Sequence, residues 1–199
     1  MYYLKEQTIN EIIISKSRFI GIVTPIDNLD EINEILKQLK KEYPKATHYC
    51  TAYVFNQSQG SNDDGEPSGT AGVPILEILN HYQLNKVFAV VIRYYGGINL
   101  GAGGLIRAYA KTTKASLEEA VLITKEILNS YTITFNYDKV NEIDLIVNNY
   151  IESKEYTDII TYHLLLNKDS DIISRNSHLL INYTYNGEKI VYKPKKNHE

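Results

Sequence analysis

The chain of 199 residues has a single cysteine, Cys50, which excludes an internal disulfide and any zinc site built on several cysteines. It lacks an apolar run long enough to span a membrane. Its opening, MYYLKEQTINE, lacks the basic-then-apolar layout of a secretory signal. A cytoplasmic location with no membrane partner is therefore expected. Positive charge is also short: the net charge is −3, against a protein coated in basic residues to hold nucleic acid. The longest acid-free stretch is also basic. Residues 78–117 hold no Asp or Glu, yet carry Lys86, Arg93, Arg107, Lys111 and Lys114, while Asp63, Asp64, Glu66 and Glu77 lie just upstream.

Glycine is scarce outside one quarter of the chain: nine of its eleven glycines fall between Gly60 and Gly104. Eight of the nine lie in two segments, SNDDGEPSGTAGVPILEIL (61–79) and RYYGGINLGAGGLIRAYA (93–110). Glycine is costly to order and is used where backbone must turn tightly or approach another group. Each segment runs into a helix-capable stretch, an arrangement that presents free N–H groups and a positive dipole end to anions. Close helix–strand packing selects glycine too, and stands beside the anion reading. Neither segment is a phosphate-binding Walker loop or a dinucleotide fingerprint, because the lysine–hydroxyl ending and the G-x-G-x-x-G spacing are missing. No cofactor is expected.

In chain order, 8–26 reads as two strands around the polar turn 15–18, and 28–43 as a helix capped by Asp27 or Asn28. A short strand over 49–55 precedes a polar loop, 56–69. Ser68 or Thr70 is placed to cap a helix reaching His81. The continuous apolar run 87–92 marks a central strand buried on both faces. A long helix is expected over 103–122, with Ile106, Ala110, Thr113, Leu117 and Val121 buried and Arg107, Lys111, Lys114 and Glu118 exposed. The pattern changes over 124–130. Beyond it come a strand (131–137), a helix from Asp138 to 150, strand residues 159–166 and a short helix within 169–176. Strands 180–185 and 189–192 flank Asn186-Gly187, a hairpin signal. This places one domain at 1–128, a small ferredoxin-like domain at 129–194, and a loose tail at 195–199.

Several residue groups carry potential chemistry. His48 and Cys50 lie two apart on a strand and project from one face, near enough for an imidazole to act on a thiol. Against that stands the ordinary burial of cysteine. Asp63, Asp64 and Glu66 offer an acid, a base or Mg²⁺ ligands, although acidic residues in such loops are commonly turn-formers bonding their own backbone. No resident metal is assigned.

Taken together, SKSRFIGIV (15–23), THYCTAY (47–53), DDGEPSGTAGVPILEIL and RYYGGINLGAGGLIRAYAK resemble the core of the YigZ/IMPACT family, over about 15–121. Residues 131–193 resemble the C-terminal domain of its bacterial members more loosely. The resemblance implies an α+β chain. Its N-terminal α/β domain would have the fold of the second domain of ribosomal protein five of the small subunit. The ferredoxin-like domain would be similar to the last domain of elongation factor G. In eukaryotes the family's namesake acts in the regulation of translation during amino-acid starvation. No eukaryotic-type N-terminal domain is evident, so that kinase-pathway role is not carried over.

These readings converge on a cytosolic regulator of translation whose partner is RNA, the ribosome or a translation-related protein. The expected anion-binding residues are Arg93, Gly96, Gly97, Gly101, Gly103, Gly104, Arg107, Lys111 and Lys114. The rivals are a hydrolase-type enzyme on a small anionic substrate, using His48, Cys50, Asp63, Asp64 or Glu66, and a pure protein-interaction module.

Overall fold

The computed structural model describes residues 1–195. Two compact units emerge. The first comprises Met1–Thr124 and is rejoined by the chain from Pro194; the second is Lys125–Lys193.

The first unit is a five-stranded sheet in the order β2-β3-β6-β4-β5, with β2 Thr8–Ile14, β3 Ser17–Pro25, β4 His48–Phe55, β5 Ser58–Asn62 and β6 Val87–Tyr94. Each pair of neighbours in that order runs antiparallel. The apolar run forms β6, which lies at the centre. Alternation sends Val87, Ala89 and Val91 to one face, with Phe19, Cys50, Ile75, Leu79 and Tyr109. Phe88, Val90 and Ile92 go to the other, with Ile20, Ile22 and Leu39. Full burial of each large side chain stabilises by about 1.5–3 kcal/mol. Helices α2 (Gly72–His81) and α3 (Gly101–Glu118) cover the first face and α1 (Glu31–Glu42) the second.

Several expectations shift. Helix α1 starts at Glu31 because Asn28 Oδ1 accepts the N–H groups of Asp30 and Glu31, while Glu31 Oε1 reaches back to those of Asp27 and Asn28. Part of the stretch read as a polar loop is β5, a strand with no apolar residue, folded onto β4 through a turn with Asn56 at φ 56°. The buried stripe of α3 is rotated from the expected one and runs through Leu105, Ala108, Tyr109, Thr112, Thr113, Ser116 and Leu117. Ile106 and Val121 are each 41% exposed. The short strand β1 (Tyr3–Leu4), missed in the sequence, pairs with Leu122 and Ile123.

The chain passes between units inside β7 (Leu122–Phe135). The division after Thr124 lies before the expected boundary at 128, since the start of β7 pairs with β1. Lys195, placed in a loose tail by sequence, donates its N–H to the Leu122 carbonyl at 2.7 Å; residues 196–199 lie outside the described part. The second unit continues with α4 (Val140–Val147), β8 (Ile151–Tyr156), β9 (Ile160–Leu166), α5 (Ile172–Arg175) and β10 (Asn182–Pro194). Its strand order is β10-β7-β9-β8, over a core of Ile133, Phe135, Ile143, Tyr162 and Leu164. The hairpin expected at Asn186-Gly187 is absent. β10 runs straight through, with Gly187 at φ 98° and the Asn186 amide donating to Thr132 Oγ1 at 2.9 Å.

Candidate functional site

The two glycine loops have opposite fates. In the first, Asp63 turns its carboxylate onto the start of α2. Oδ1 accepts the N–H groups of Ala71 (3.0 Å) and Gly72 (2.8 Å), and Oδ2 that of Gly69 (2.8 Å). Burial works to raise the Asp63 pKa, but the bonds from Gly69, Gly72 and Ala71 outweigh it and hold the carboxyl below its usual range. Gly72 is required here, because a Cβ would stand 2.7 Å from the backbone N of Asn62. This helix start is closed by the chain's own anion, correcting the reading of both loops as open cradles. Asp64 is also engaged. Its carboxylate accepts the Tyr49 N–H at 2.7 Å and its carbonyl meets His48 Nδ1 at 2.8 Å.

Beneath that loop lies a buried polar cluster. Glu66 is 8% exposed, and its Oε1 accepts from Arg93 Nη1 at 2.6 Å and from the Tyr109 hydroxyl at 2.7 Å. The Arg93 guanidinium lies 5.3 Å from the ring centroids of both Phe19 and Tyr95. Cys50 Sγ lies 3.0 Å from the Asp63 carbonyl and 3.3 Å from the Tyr109 hydroxyl. Three elements thus meet on one carboxylate: the first loop, the end of β6 and the middle of α3.

This arrangement changes the chemistry expected of these residues. Burial pushes the Cys50 thiol up to about 12, with the carboxylates of Glu66, Asp64 and Asp63 adding to the rise against the Tyr109 bond. A thiol that stays protonated at neutral pH is a poor nucleophile. His48 spends Nδ1 on the Asp64 carbonyl, and its Nε2 faces Glu66 at 3.9 Å. The Cys–His pairing weighed against ordinary burial for β4 is not formed. Asp63, Asp64 and Glu66 point their carboxylates at three different sets of donors and do not converge on a metal. Arg93, expected as an anion ligand, is turned inward and paired.

The second loop is open. Gly96 donates its N–H to Ser17 Oγ at 3.1 Å and packs so tightly that a Cβ would fall 2.0 Å from the Lys16 carbonyl oxygen. Gly97 and Gly101 adopt φ 85° and 66°, with nothing beside them. Helix α3 starts at Gly101, earlier than expected, with no acidic residue in its first turn and no side-chain cap at Leu100. Gly103 and Gly104 lie in that turn. Arg107 is exposed and folds back, its Nη1 3.5 Å from where a Gly103 Cβ would stand. Lys111 and Lys114 follow at helical spacing and are also exposed. Among the described residues none of these three cations has an ion pair, so the salt bridge from Arg107 to Asp63, Asp64 or Glu66, weighed as its alternative, is not made. Sequence reasoning missed Tyr109 and Ser17. Both are ordinary small-domain residues in isolation, and only the fold brings them to Glu66 and Gly96.

A family model described as "Impact N-terminal domain" matches residues 15–117, which include both glycine loops and every residue of the cluster. The chain belongs to the IMPACT family. IMPACT family member YvyE of Bacillus subtilis (strain 168) is 42% identical over 146 residues, covering 72% of this chain and 67% of that protein. IMPACT family member YigZ of Escherichia coli (strain K12) is 37% identical over 139 residues, covering 67% and 68%. A crystal structure described as that of a hypothetical protein superimposes with a TM-score of 0.61 at 29% identity, covering 89% of this chain and 91% of that one. At that coverage the superposition takes in residues of both units. No described helix is long and apolar enough to cross a membrane.

Proposed function

We propose that this IMPACT-family chain regulates translation by binding RNA phosphates, on the ribosome or free, through the second glycine loop and the basic face of α3. One observation carries the reading. Two helices start from neighbouring glycine loops, and only the first is closed by a carboxylate, Asp63. The start of α3 has no anion of its own and is followed by Arg107, Lys111 and Lys114, all exposed and without ion pairs among the described residues. A cation near a helix N-terminus is unfavourable by about 0.3–1 kcal/mol. A bound phosphate reverses that sign, since it satisfies both the N–H groups of residues 102–104, beyond the Gly101 N–H that Asn99 Oδ1 accepts at 3.0 Å, and the guanidinium.

Family membership supports the translational setting, as the namesake's role implies. Fold analogy supports it too. The strand–helix–strand–strand–helix–strand order of the second unit suits the ferredoxin-like reading and its likeness to the last domain of elongation factor G. The fold of the second domain of ribosomal protein five remains the reading for the first unit. The hydrolase alternative loses ground because its proposed groups are spent on structure. The test is Arg107→Ala assayed for RNA binding and melting together. Lost binding with an unchanged melting temperature supports the site, whereas intact binding with a fall of several degrees assigns Arg107 to structure.

A further inference from the structure

The sheet of the first unit has two edges, β2 and β5. β5 is short and polar, a blunted edge. β2 is seven residues long and is not blunted. Its hairpin to β3 turns through Ser15 and Lys16, at φ 46° and 65°, and closes on the pair Ile14↔Ser17. In a two-residue hairpin the closing pair is hydrogen-bonded, and bonded and unbonded pairs alternate behind it. Ile12, Asn10 and Thr8 therefore bond to β3. Ile9, Glu11 and Ile13 direct their N–H and C=O groups away from the sheet. No backbone partner takes those groups among the described residues.

The side chains at these positions are exposed as well, Ile13 by 72% and Ile9 by 51%. Their pattern, Ile-x-Glu-x-Ile, reads the same from either end. An antiparallel copy related by a two-fold axis at Glu11 sets Ile9 opposite Ile13 twice and returns a bond to every outward N–H and C=O. The like charges that meet at the axis are already neutralised. Each Glu11 is held by Arg18 through two bonds, both 2.8 Å.

Charge complementarity points the same way. In this register Lys16 of the second copy falls opposite Glu6. Lys16 is exposed and has no ion pair among the described residues. Next to Glu6 along the chain, a cavity of about 290 Å³ is lined by Thr8, Asn10, Ser116, Glu118 and Glu119. Thr8 Oγ1 and Asn10 Oδ1 are buried there without partners. An ammonium carries three donors and one positive charge, which suits two orphaned acceptors beside two carboxylates. We infer that β2 is a self-association edge, onto which a second copy of this chain adds its own β2 antiparallel, with its Lys16 seated by Glu6 and the acidic cavity.

Sedimentation velocity of the full chain over a concentration series tests this, read beside hydrogen exchange at the Ile9, Glu11 and Ile13 amides. The expected result is a concentration-dependent dimer with those amides protected in step. Ile13→Lys weakens association about tenfold or more. Lys16→Glu weakens it similarly, and adding Glu6→Lys in the same chain restores part of it. Lys16 and Glu6 are exposed, so this pair carries the test even if Ile13→Lys unfolds. A chain that stays monomeric to its solubility limit overturns the inference. So does a dimer indifferent to both the Ile13 and Lys16 changes, or an edge protected only by another protein.

Discussion

Glu66 Oε1 accepts a hydrogen bond from Arg93 Nη1 at 2.6 Å inside the first unit, where both side chains are almost wholly buried. Removing one member of such a pair leaves a buried charge without a partner, which costs about 3–5 kcal/mol. Arg93→Ala and Glu66→Gln are each predicted to destabilise by that amount in urea unfolding. The double variant Arg93→Met with Glu66→Leu should recover much of the loss. If Arg93→Ala cost nothing, the cluster would not be what joins the first loop to β6 and α3.

Asp63 supplies a second, acid-sensitive restraint. Asp63→Ala leaves the amides of Gly69, Ala71 and Gly72 without their acceptor and is predicted to cost about 1–3 kcal/mol. The pKa is lowered on folding from its ordinary value of 3.8, so the unfolded chain takes up the proton first. The carboxylate's contribution is complete above that value and is lost as pH falls through the lower folded-state one. Unfolding free energies of the two proteins should therefore converge in acid. A gap that stays constant down to low pH would contradict the ionic cap.

Cys50 is predicted to resist alkylation in the native protein at neutral pH and to react once the chain is unfolded. Its thiol is pushed up to about 12, by burial first, and is fully enclosed. Rapid labelling of native protein by iodoacetamide would restore the nucleophile reading of β4.

The same residues show how far the sequence could be read. β6 was legible because its residues 87–92 are all buried and apolar, which leaves a continuous apolar run. β5 was not, since Ser58–Asn62 gains its pairing from β4 and has no apolar side chain to announce it. The glycine loops were visible as composition, but their difference was not. Asp63 and Glu66 differ little in sequence, and which one caps a helix and which one pairs with Arg93 depends on backbone turns at Asp64 and Gly65. The contact from Tyr109 to Glu66 spans 43 residues and left no periodic trace. The Asn186-Gly187 signal failed for a related reason: pairing with β7 overrode a local turn preference.

A fragment of residues 1–128 is predicted to fold alone, because both core clusters of the first unit lie within it. Its melting temperature should fall by a few degrees, since it lacks the Lys195 N–H bond to Leu122 and the Lys195 ammonium over the Tyr2 ring. Circular dichroism of the expressed fragment decides this, and an unfolded spectrum would mean the first unit depends on the rest of the chain.

The most direct measurement is RNA affinity of the full chain across a salt series, compared with a variant in which Arg107, Lys111 and Lys114 are all alanine. If these three cations hold phosphates, log affinity for single-stranded RNA should fall linearly with log salt, with a slope of about −2 and little dependence on sequence. The triple variant should lose the binding and the slope while keeping its melting temperature. Absence of binding by the natural chain at low salt, or equal binding by both proteins, would contradict the assignment of the second glycine loop and α3 as the RNA-binding face.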